Sequence, residues 1–397
     1  MKFSPILRFI ACSDVHCKEN DPTEPDRFKK GMALAYSYAE SSSYKNIDAV
    51  YVIGDFANQG TFEQMSIFKS ALDDSLKPET KPVLTMASHE FMHDGEEGAL
   101  KRFDEIFHQS PDTHFVINGF HFIAVTTERG CSIDDAKQQW LSEELKKAAE
   151  DDEKKPIFVF QHPHLSDTVY GSINWGDNDI YAVLMDYPQV VDFSGHSHAP
   201  INDPRSVHQK HFTSFGTGSF SYFELDEFDF TCGTVPPDSR SCAQLLVVEA
   251  DRDGRVRVLP LDILSGNFFN DGVIIDEPWN PDSFKFTDER YRSPETPFFA
   301  DNAKAHAETN GSMVSVIFDA ATSATERIDA YKCKIKKRNG TIIRQHRMTS
   351  SYYIYNMPDE YKMEFENIPT GNYTAEITAE GFWGNRSQKL VCTFTVE

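Results

Sequence analysis

Leu7-Arg8-Phe9-Ile10-Ala11-Cys12-Ser13-Asp14-Val15-His16 is the stretch on which the reading of this chain turns. Its mainly apolar first part is short and carries no helical period, the pattern of a buried β-strand. It runs out into Asp14 and His16, two side chains with metal-ligand atoms. Set two residues apart on an extended strand end, they point to one side and reach one ion. Similar strand-like runs at 49–53, 83–86, 121–125 and 157–160 follow, separated by amphipathic segments, which implies an α/β core. The clearest helix spans about 135–149, with Trp140, Leu141, Leu145 and Ala148 on one face.

Four more segments place ligand-type residues just past a strand, where α/β proteins keep their sites: Gly54-Asp55, Ser88-His89-Glu90, His162-Pro163-His164 and Gly195-His196-Ser197-His198. A single Asp-x-His or a lone His has a bland structural reading. Five such segments in order describe a holder for two divalent cations. His196 and His198 repeat the spacing of Asp14 and His16, and Gly195 lets their loop turn tightly. Mixed carboxylate and imidazole donors suit manganese, iron or zinc better than calcium or magnesium, without choosing among the three. A bridging Asp55 would offer one oxygen to each of two ions about 3.5–4 Å apart, the arrangement that clamps an in-line displacement at phosphorus.

Over roughly residues 5–260 this constellation resembles the calcineurin-like metallophosphoesterase superfamily, whose pattern is D-x-H, G-D, G-N-H-D/E, a His, and G-H-x-H. Gly54-Asp55-Phe56-Ala57-Asn58-Gln59-Gly60 and Gln138-Gln139-Trp140-Leu141 look like its class III cyclic-nucleotide phosphodiesterase branch. The D-x-H opening and the lack of a Tyr three residues after Asp55 speak against the purple acid phosphatase branch. The resemblance implies a four-layer α/β/β/α sandwich. It also implies hydrolysis of a phosphodiester or phosphomonoester by a metal-bridging hydroxide. The first metal would be held by Asp14, His16, Asp55 and His198, and the second by Asp55, His162, His196 and the residue at position 88. His89 would protonate the leaving group, a role that suits imidazole. There is one departure: Ala87-Ser88 stands where the family has Gly-Asn. Ser88 is a shorter, poorer neutral ligand, so the second ion is expected to bind weakly but measurably. Water, His93, Asp94 or His164 would fill the gap.

At 397 residues the chain has room for two domains. The expected division is 1–265 for the catalytic domain, 266–305 for a Pro- and aromatic-rich linker packed on it, and 306–397 for a small β-sandwich. In the last, strands are expected at 314–318, 331–335, 352–355, 373–377 and 391–396. Ile368-Pro369-Thr370-Gly371-Asn372-Tyr373 resembles the tyrosine corner of fibronectin type III and immunoglobulin-like domains. Lys332, Lys334 and Lys336 make one basic strand face, read first as solvated and, more sharply, as a dock for an acidic polymer or protein partner.

A net charge of −23 argues against a nucleic-acid polymer as partner and leaves a small phosphorylated substrate, because bound cations reverse the field locally. No stretch is long enough to span a membrane. The N-terminus leads straight into the first strand without room for a signal peptide, so a cytoplasmic location is expected. The seven Cys read as reduced thiols, with a Cys232–Cys242 bridge as the one alternative. Arg205 and Asn174 are candidates for substrate contact, and Tyr170, Trp175, Phe215, Phe220 and Tyr222 for a pocket wall. His114, His121, His208 and His211 read as structural or surface residues. From a different functional class, a decayed site leaving a metal-stabilised scaffold that binds through the sandwich is the alternative.

Overall fold

The computed structural model describes residues 2–128, 130–226, 233–236 and 238–397, and the chain divides into two compact units, Met1–Thr287 and Asp288–Glu397. Cys232 and Pro237 lie outside the described residues. In the first unit, β1 (Pro5–Cys12), β2 (Ala49–Ile53) and β3 (Lys81–Thr85) run parallel. On the far side of β1 the sheet continues through antiparallel strands Gln244–Asp251, Val256–Asp262 and Asn267–Phe268. The second sheet runs β4 (Thr113–Ile117), β5 (Phe120–Ala124), β6 (Ile157–Phe160), Val190–Ser194, Thr213–Gly216 and Val207–Gln209. Its four central strands are parallel.

The two sheets face each other across an aromatic core, which is why β2 and β6 are buried along their whole lengths. Phe9 meets Phe122, Phe158, Phe160 and Phe193 edge-on at centroid distances of 5.1, 4.8, 5.9 and 5.8 Å, and Tyr51 stacks on Phe160 at 3.9 Å. Outside the first sheet lie α1 (Thr23–Ser41), α2 (Phe62–Ser75) and α3 (Gly95–Phe107), whose Phe28, Met32, Phe68 and Phe103 pack with Ile10, Val50 and Val52. Outside the second lies α4 (Asp135–Asp151), started by the Asp134 carboxylate accepting from the Lys137 amide at 2.8 Å. Its Leu141, Leu145 and Ala148 close on Ile123, Val159 and Val190. The layers are therefore α/β/β/α, as expected.

The second unit is an all-β sandwich. One sheet holds Ala305–Asn310, Met313–Asp319 and Glu360–Phe365, and the other Ile342–Thr349, Ala330–Lys337, Gly371–Glu380 and Leu390–Val396. The Tyr373 hydroxyl donates to the Pro369 carbonyl at 2.8 Å, closing the tyrosine corner. Residues 352–355 are not a strand. Tyr352 and Tyr353 are buried, and the carbonyls of Tyr352, Ile354 and Tyr355 accept from the Arg327 guanidinium. The Lys336 ammonium pairs with Glu376 at 2.7 Å, which also takes Lys389 at 2.8 Å, so part of the basic face is neutralised within the sheet. The stretch 266–305 is shared between the units: Asn267–Phe268 and Val273–Ile275 extend the first sheet, whereas Phe299 enters the sandwich core. Among the described residues no helix is long and apolar enough to cross a membrane.

Candidate metal centre

Both sheets end their parallel strands at one edge, and the loops leaving those ends carry the ligand-type residues. Asp14 and His16 follow β1, Asp55 follows β2, and Ser88, His89 and Glu90 form a single 3-10 turn after β3. His162 follows β6, and His196 and His198 follow Val190–Ser194. Backbone hydrogen bonds tie these loops together: the amides of Asp14 and His16 donate to Gly54 and Asp55 at 3.2 and 2.9 Å, and that of Gly195 to His162 at 2.9 Å.

Asp14 and His16 converge by a different route from the strand alternation expected of them. Both adopt left-handed backbone conformations with φ near 54°, and Asp55, His196 and His198 do the same at 52°, 72° and 52°. Such conformations cost an L-residue of the order of 1–3 kcal/mol and gather at functional sites. Two glycines make the approach feasible. A Cβ on Gly54, itself at φ 74°, would sit 2.7 Å from the His162 ring, and one on Gly195 would sit 2.5 Å from the Asp14 carboxylate.

Among the described residues, three groups of donors result: Asp14, His16 and His198; His16, Asp55 and His89; and Asp55, His162 and His196. Within each, the ligand atoms lie within 4.8 Å of one another. Nδ1 of His162, His89 and His198 lies 2.6, 2.7 and 3.0 Å from the carbonyls of Ile53, Asn58 and Tyr222. A carbonyl only accepts, so these Nδ1 atoms carry the hydrogen and leave Nε2 as the inward-facing lone pair. Nε2 of His198 then stands 3.1 Å from Asp14 Oδ1 and 3.1 Å from Nε2 of His16, and Nε2 of His162 stands 3.0 Å from Asp55 Oδ2. Asp14 Oδ1 and His162 Nε2 are buried without a hydrogen-bond partner. Buried lone pairs facing one another at about 3 Å are repulsive unless a positive charge lies among them. The donor set therefore fits a pair of cations.

The electrostatics agree. Burial works to raise the Asp14 and Asp55 carboxyls, but the neighbouring imidazoles outweigh it and hold both below the usual carboxylate range. Burial also opposes protonation of His162, yet Asp55 and Asp14 overcome it and push its pKa up to about 10. A field that draws a proton so strongly to a buried ring draws a metal ion to the same lone pair. His196 goes the other way, lowered to about 4 by burial and by His162.

Ser88 is turned toward Asp55, its hydroxyl 3.4 and 3.3 Å from the two carboxylate oxygens, while the His89 amide donates to Asp55 Oδ1 at 2.9 Å. None of the three residues considered as replacements reaches the donors. His93 is exposed, Asp94 pairs with Arg102 at 2.5 Å, and the His164 ring is held between the Ser194 and Ser197 hydroxyls at 2.8 and 2.6 Å. Arg205 pairs with Asp203 at 2.6 Å and lies over the Tyr170 ring. Phe215 and Phe220 belong to the core, whereas the Tyr222 ring is 4.3 Å from that of His198 and the Trp175 ring 5.3 Å from that of His196.

Two residues at the centre escaped the sequence reading of roles. The fully buried Glu90 carboxylate accepts from the backbone amides of Asp55, Ala57 and Ala87, each at 2.9 Å, and so holds the Asp55 loop to the 3-10 turn. Burial and Asp55 push its pKa up to about 8 against those three donors. The other is Cys131, whose Sγ is 3.5 Å from Nε2 of His196, and whose thiol burial pushes up to about 12.

Residues 7–200 match the family model described as calcineurin-like phosphoesterase. None of the curated proteins matches the sequence. Among solved structures, the chain is similar to a purple acid phosphatase, PPD1, from yellow lupin (Lupinus luteus) seeds, with 13% identity and a TM-score of 0.48. The alignment covers 69% of this chain and 54% of that one, so this chain spans about half the length of that phosphatase. It is also similar to the FN1–FN3 domains of chicken CNTN1, at 11% identity over 39% of this chain and 42% of that one, with a TM-score of 0.19. A third similarity, to fibronectin(III)-like modules of Clostridium thermocellum CbhA, has 13% identity over 39% and 62% of the two chains and a TM-score of 0.19.

Proposed function

Because residues 7–200 form a calcineurin-like phosphoesterase domain, we propose that this chain hydrolyses a phosphodiester or phosphomonoester of a small substrate, with two divalent transition ions as cofactors. The observation that carries the reading is the cage of largely buried, converging ligand atoms on Asp14, His16, Asp55, His162, His196 and His198, with Asp14 Oδ1 and His162 Nε2 lacking a hydrogen-bond partner. Asp14, His16, Asp55 and His198 hold one ion, and Asp55, His162 and His196, with Ser88 beside them, hold the other. When bound, manganese, iron or zinc in such a pair supplies a water acidic enough to attack phosphorus near neutral pH and offsets charge on the phosphoryl oxygens.

The remaining chemistry belongs to the protein. His89 is fixed by its Nδ1–H donating to the Asn58 carbonyl, which turns Nε2 inward; in its imidazolium form that Nε2 gives its proton to the departing oxygen. Glu90 keeps His89 and Asp55 in register through the three backbone amides it binds. Trp175 and Tyr222 stand beside the ligand histidines as apolar walls against which a small organic group can rest. A polyanionic polymer is disfavoured as substrate by the net charge of −23.

The test is hydrolysis of a chromogenic diester beside its monoester, with manganese-loaded protein and an Asp55→Ala control loaded in the same way. Activity abolished in the control supports the reading, and the diester-to-monoester ratio narrows the substrate class. Equal rates in the two proteins, with two ions bound per wild-type chain, would overturn it.

A further inference from the structure

His164 is a buried imidazole to which the chemistry above gives no part. Its ring spans two hydroxyls, with Nδ1 2.8 Å from Ser194 Oγ and Nε2 2.6 Å from Ser197 Oγ. A neutral imidazole has one donor and one acceptor, enough to engage both at once. The two serines differ in what they carry. Ser194 ends the strand Val190–Ser194, and its carbonyl accepts from the Thr217 amide and hydroxyl, each at 2.9 Å. Ser197 lies between His196 and His198, each placed above on a different ion. Both flanking residues take left-handed backbone, with φ of 72° and 52°. Two such residues around one serine persist only where the surroundings over-determine them. The Ala199 amide donates to Ser197 Oγ at 3.2 Å, and the Ser197 amide to the Gly195 carbonyl at 2.9 Å, both within the turn itself. The bond to His164 instead reaches across 33 residues of chain. Gly171 packs so closely that a Cβ there would stand 2.5 Å from Ser197 Cβ, which leaves the serine little room to swing.

We propose that His164 is a positioning residue that fastens Ser197 to the strand end at Ser194 and thereby sets His196 and His198 together. The proposal rests on the metal centre proposed above and deepens it. Because Ser197 has a ligand of each ion as its immediate neighbour, freedom gained at this one residue loosens both positions. Glu90 acts on Asp55 through backbone amides, whereas His164 acts on the imidazole ligands through a hydroxyl.

The test separates the two ends of the ring. An asparagine amide reaches about as far as Nδ1 and a glutamine amide about as far as Nε2, each with a donor and an acceptor. His164→Asn thus keeps the Ser194 bond and drops that to Ser197, and His164→Gln does the reverse. Ser197→Ala removes the same hydroxyl with the ring left in place. The full chains are titrated with manganese by calorimetry, and the melting temperatures of the metal-free proteins are read beside them. Asn and Gln each lose one buried hydrogen bond, so both should melt lower by similar amounts, and a purely structural role would weaken metal binding alike in the two. The expected result is that His164→Asn and Ser197→Ala bind both equivalents about tenfold or more weakly than wild type, while His164→Gln keeps most of the affinity. Equal affinities in Asn and Gln, a loss confined to one of the two ions, or wild-type affinity in Ser197→Ala would overturn the proposal. A wild type that binds no manganese would instead remove the metal centre on which it stands.

Discussion

Replacing Glu90 tests the claim that one buried carboxylate organises the site. Its oxygens accept three backbone amides at 2.9 Å, two on Oε2 from Asp55 and Ala87 and one on Oε1 from Ala57. Glu90→Gln can place its amide oxygen where Oε2 stands and keep two of these bonds, but its NH2 group then faces the Ala57 N–H. The cost of one unsatisfied buried donor is about 1–3 kcal/mol. Glu90→Ala strands all three donors, and allowing for water entering the space, roughly 3–6 kcal/mol is expected. At about 2–4 °C per kcal/mol for a domain of this size, Gln should lower the melting temperature by several degrees and Ala by roughly 10 °C or more. Calorimetry on the metal-free chain reads these shifts, and titration calorimetry with manganese should show weaker binding in the same order, because Asp55 loses its anchor. Melting temperatures for both variants within a degree of wild type, or Ala no worse than Gln, would refute the reasoning.

Three other outcomes follow from the same geometry. His89→Gln should lower kcat by about 10²–10⁴ on substrates with alkoxide leaving groups while leaving metal content unchanged, and much less on a nitrophenyl ester, whose anion needs no proton. Rates with the two leaving groups give the answer, and an equal loss on both would remove His89 as the acid. Ser88→Asn supplies an amide oxygen where the short hydroxyl stands, and should tighten the second equivalent of manganese about tenfold. Metal titration measures it, and unchanged affinity counts against any role for position 88. Asp192, fully buried on the second sheet beside Gln161, has its carboxyl pushed up to about 7 by burial, against the Gln161 and Ser214 hydrogen bonds that lower it. A folded pKa above the unfolded value means the neutral acid is favoured by folding. Stability is thus full below about pH 4 and declines until about pH 7, by an amount on the order of 2–4 kcal/mol. Asp192→Asn should flatten that decline, making the variant more stable than wild type at pH 8 but not at pH 4; parallel pH profiles of melting temperature would exclude it.

What was legible in the sequence, and what was not, divides by physical scale. The α/β core was legible because 7–12, 49–53 and 157–160 are apolar runs bounded by polar turns, and because Leu141, Leu145 and Ala148 recur at helical spacing, whereas the four layers came only with the family resemblance. In the sandwich, residues 352–355 misled: an aromatic run has strand propensity, but here the rings plug a loop whose carbonyls Arg327 satisfies, so no ladder is needed. Ile342–Thr349 went unseen for the opposite reason, as a strand with no fully buried side chain and therefore no alternation. Glu360–Phe365 was also missed, although it alternates exposed and buried residue by residue.

At the metal centre the same division has a mechanical cause. Asp14, Asp55, His162, His196 and His198 announce themselves because ligand chemistry sits directly after strands, a local signal. Their convergence is not local. Five donor residues take up left-handed backbone, a conformation that Asp and His tolerate better than β-branched residues, and each departs from the strand direction there. That strain persists only because neighbouring loops over-determine it: Gly54 and Gly195 allow close approach, Glu90 pins the Asp55 loop, and Thr217 and Ser13 hydroxyls 2.7 Å apart brace the loop of Asp14. Glu90 was visible as the last residue of the Ser88-His89-Glu90 segment, but its role was silent because its partners are backbone amides. Cys131 was silent because it follows no strand-and-ligand pattern and meets His196 across 65 residues of chain. Ligands that follow strands can thus be read one segment at a time, whereas the groups that hold them in place, and any contact from a distant loop, exist only once both sheets have been brought to a common edge.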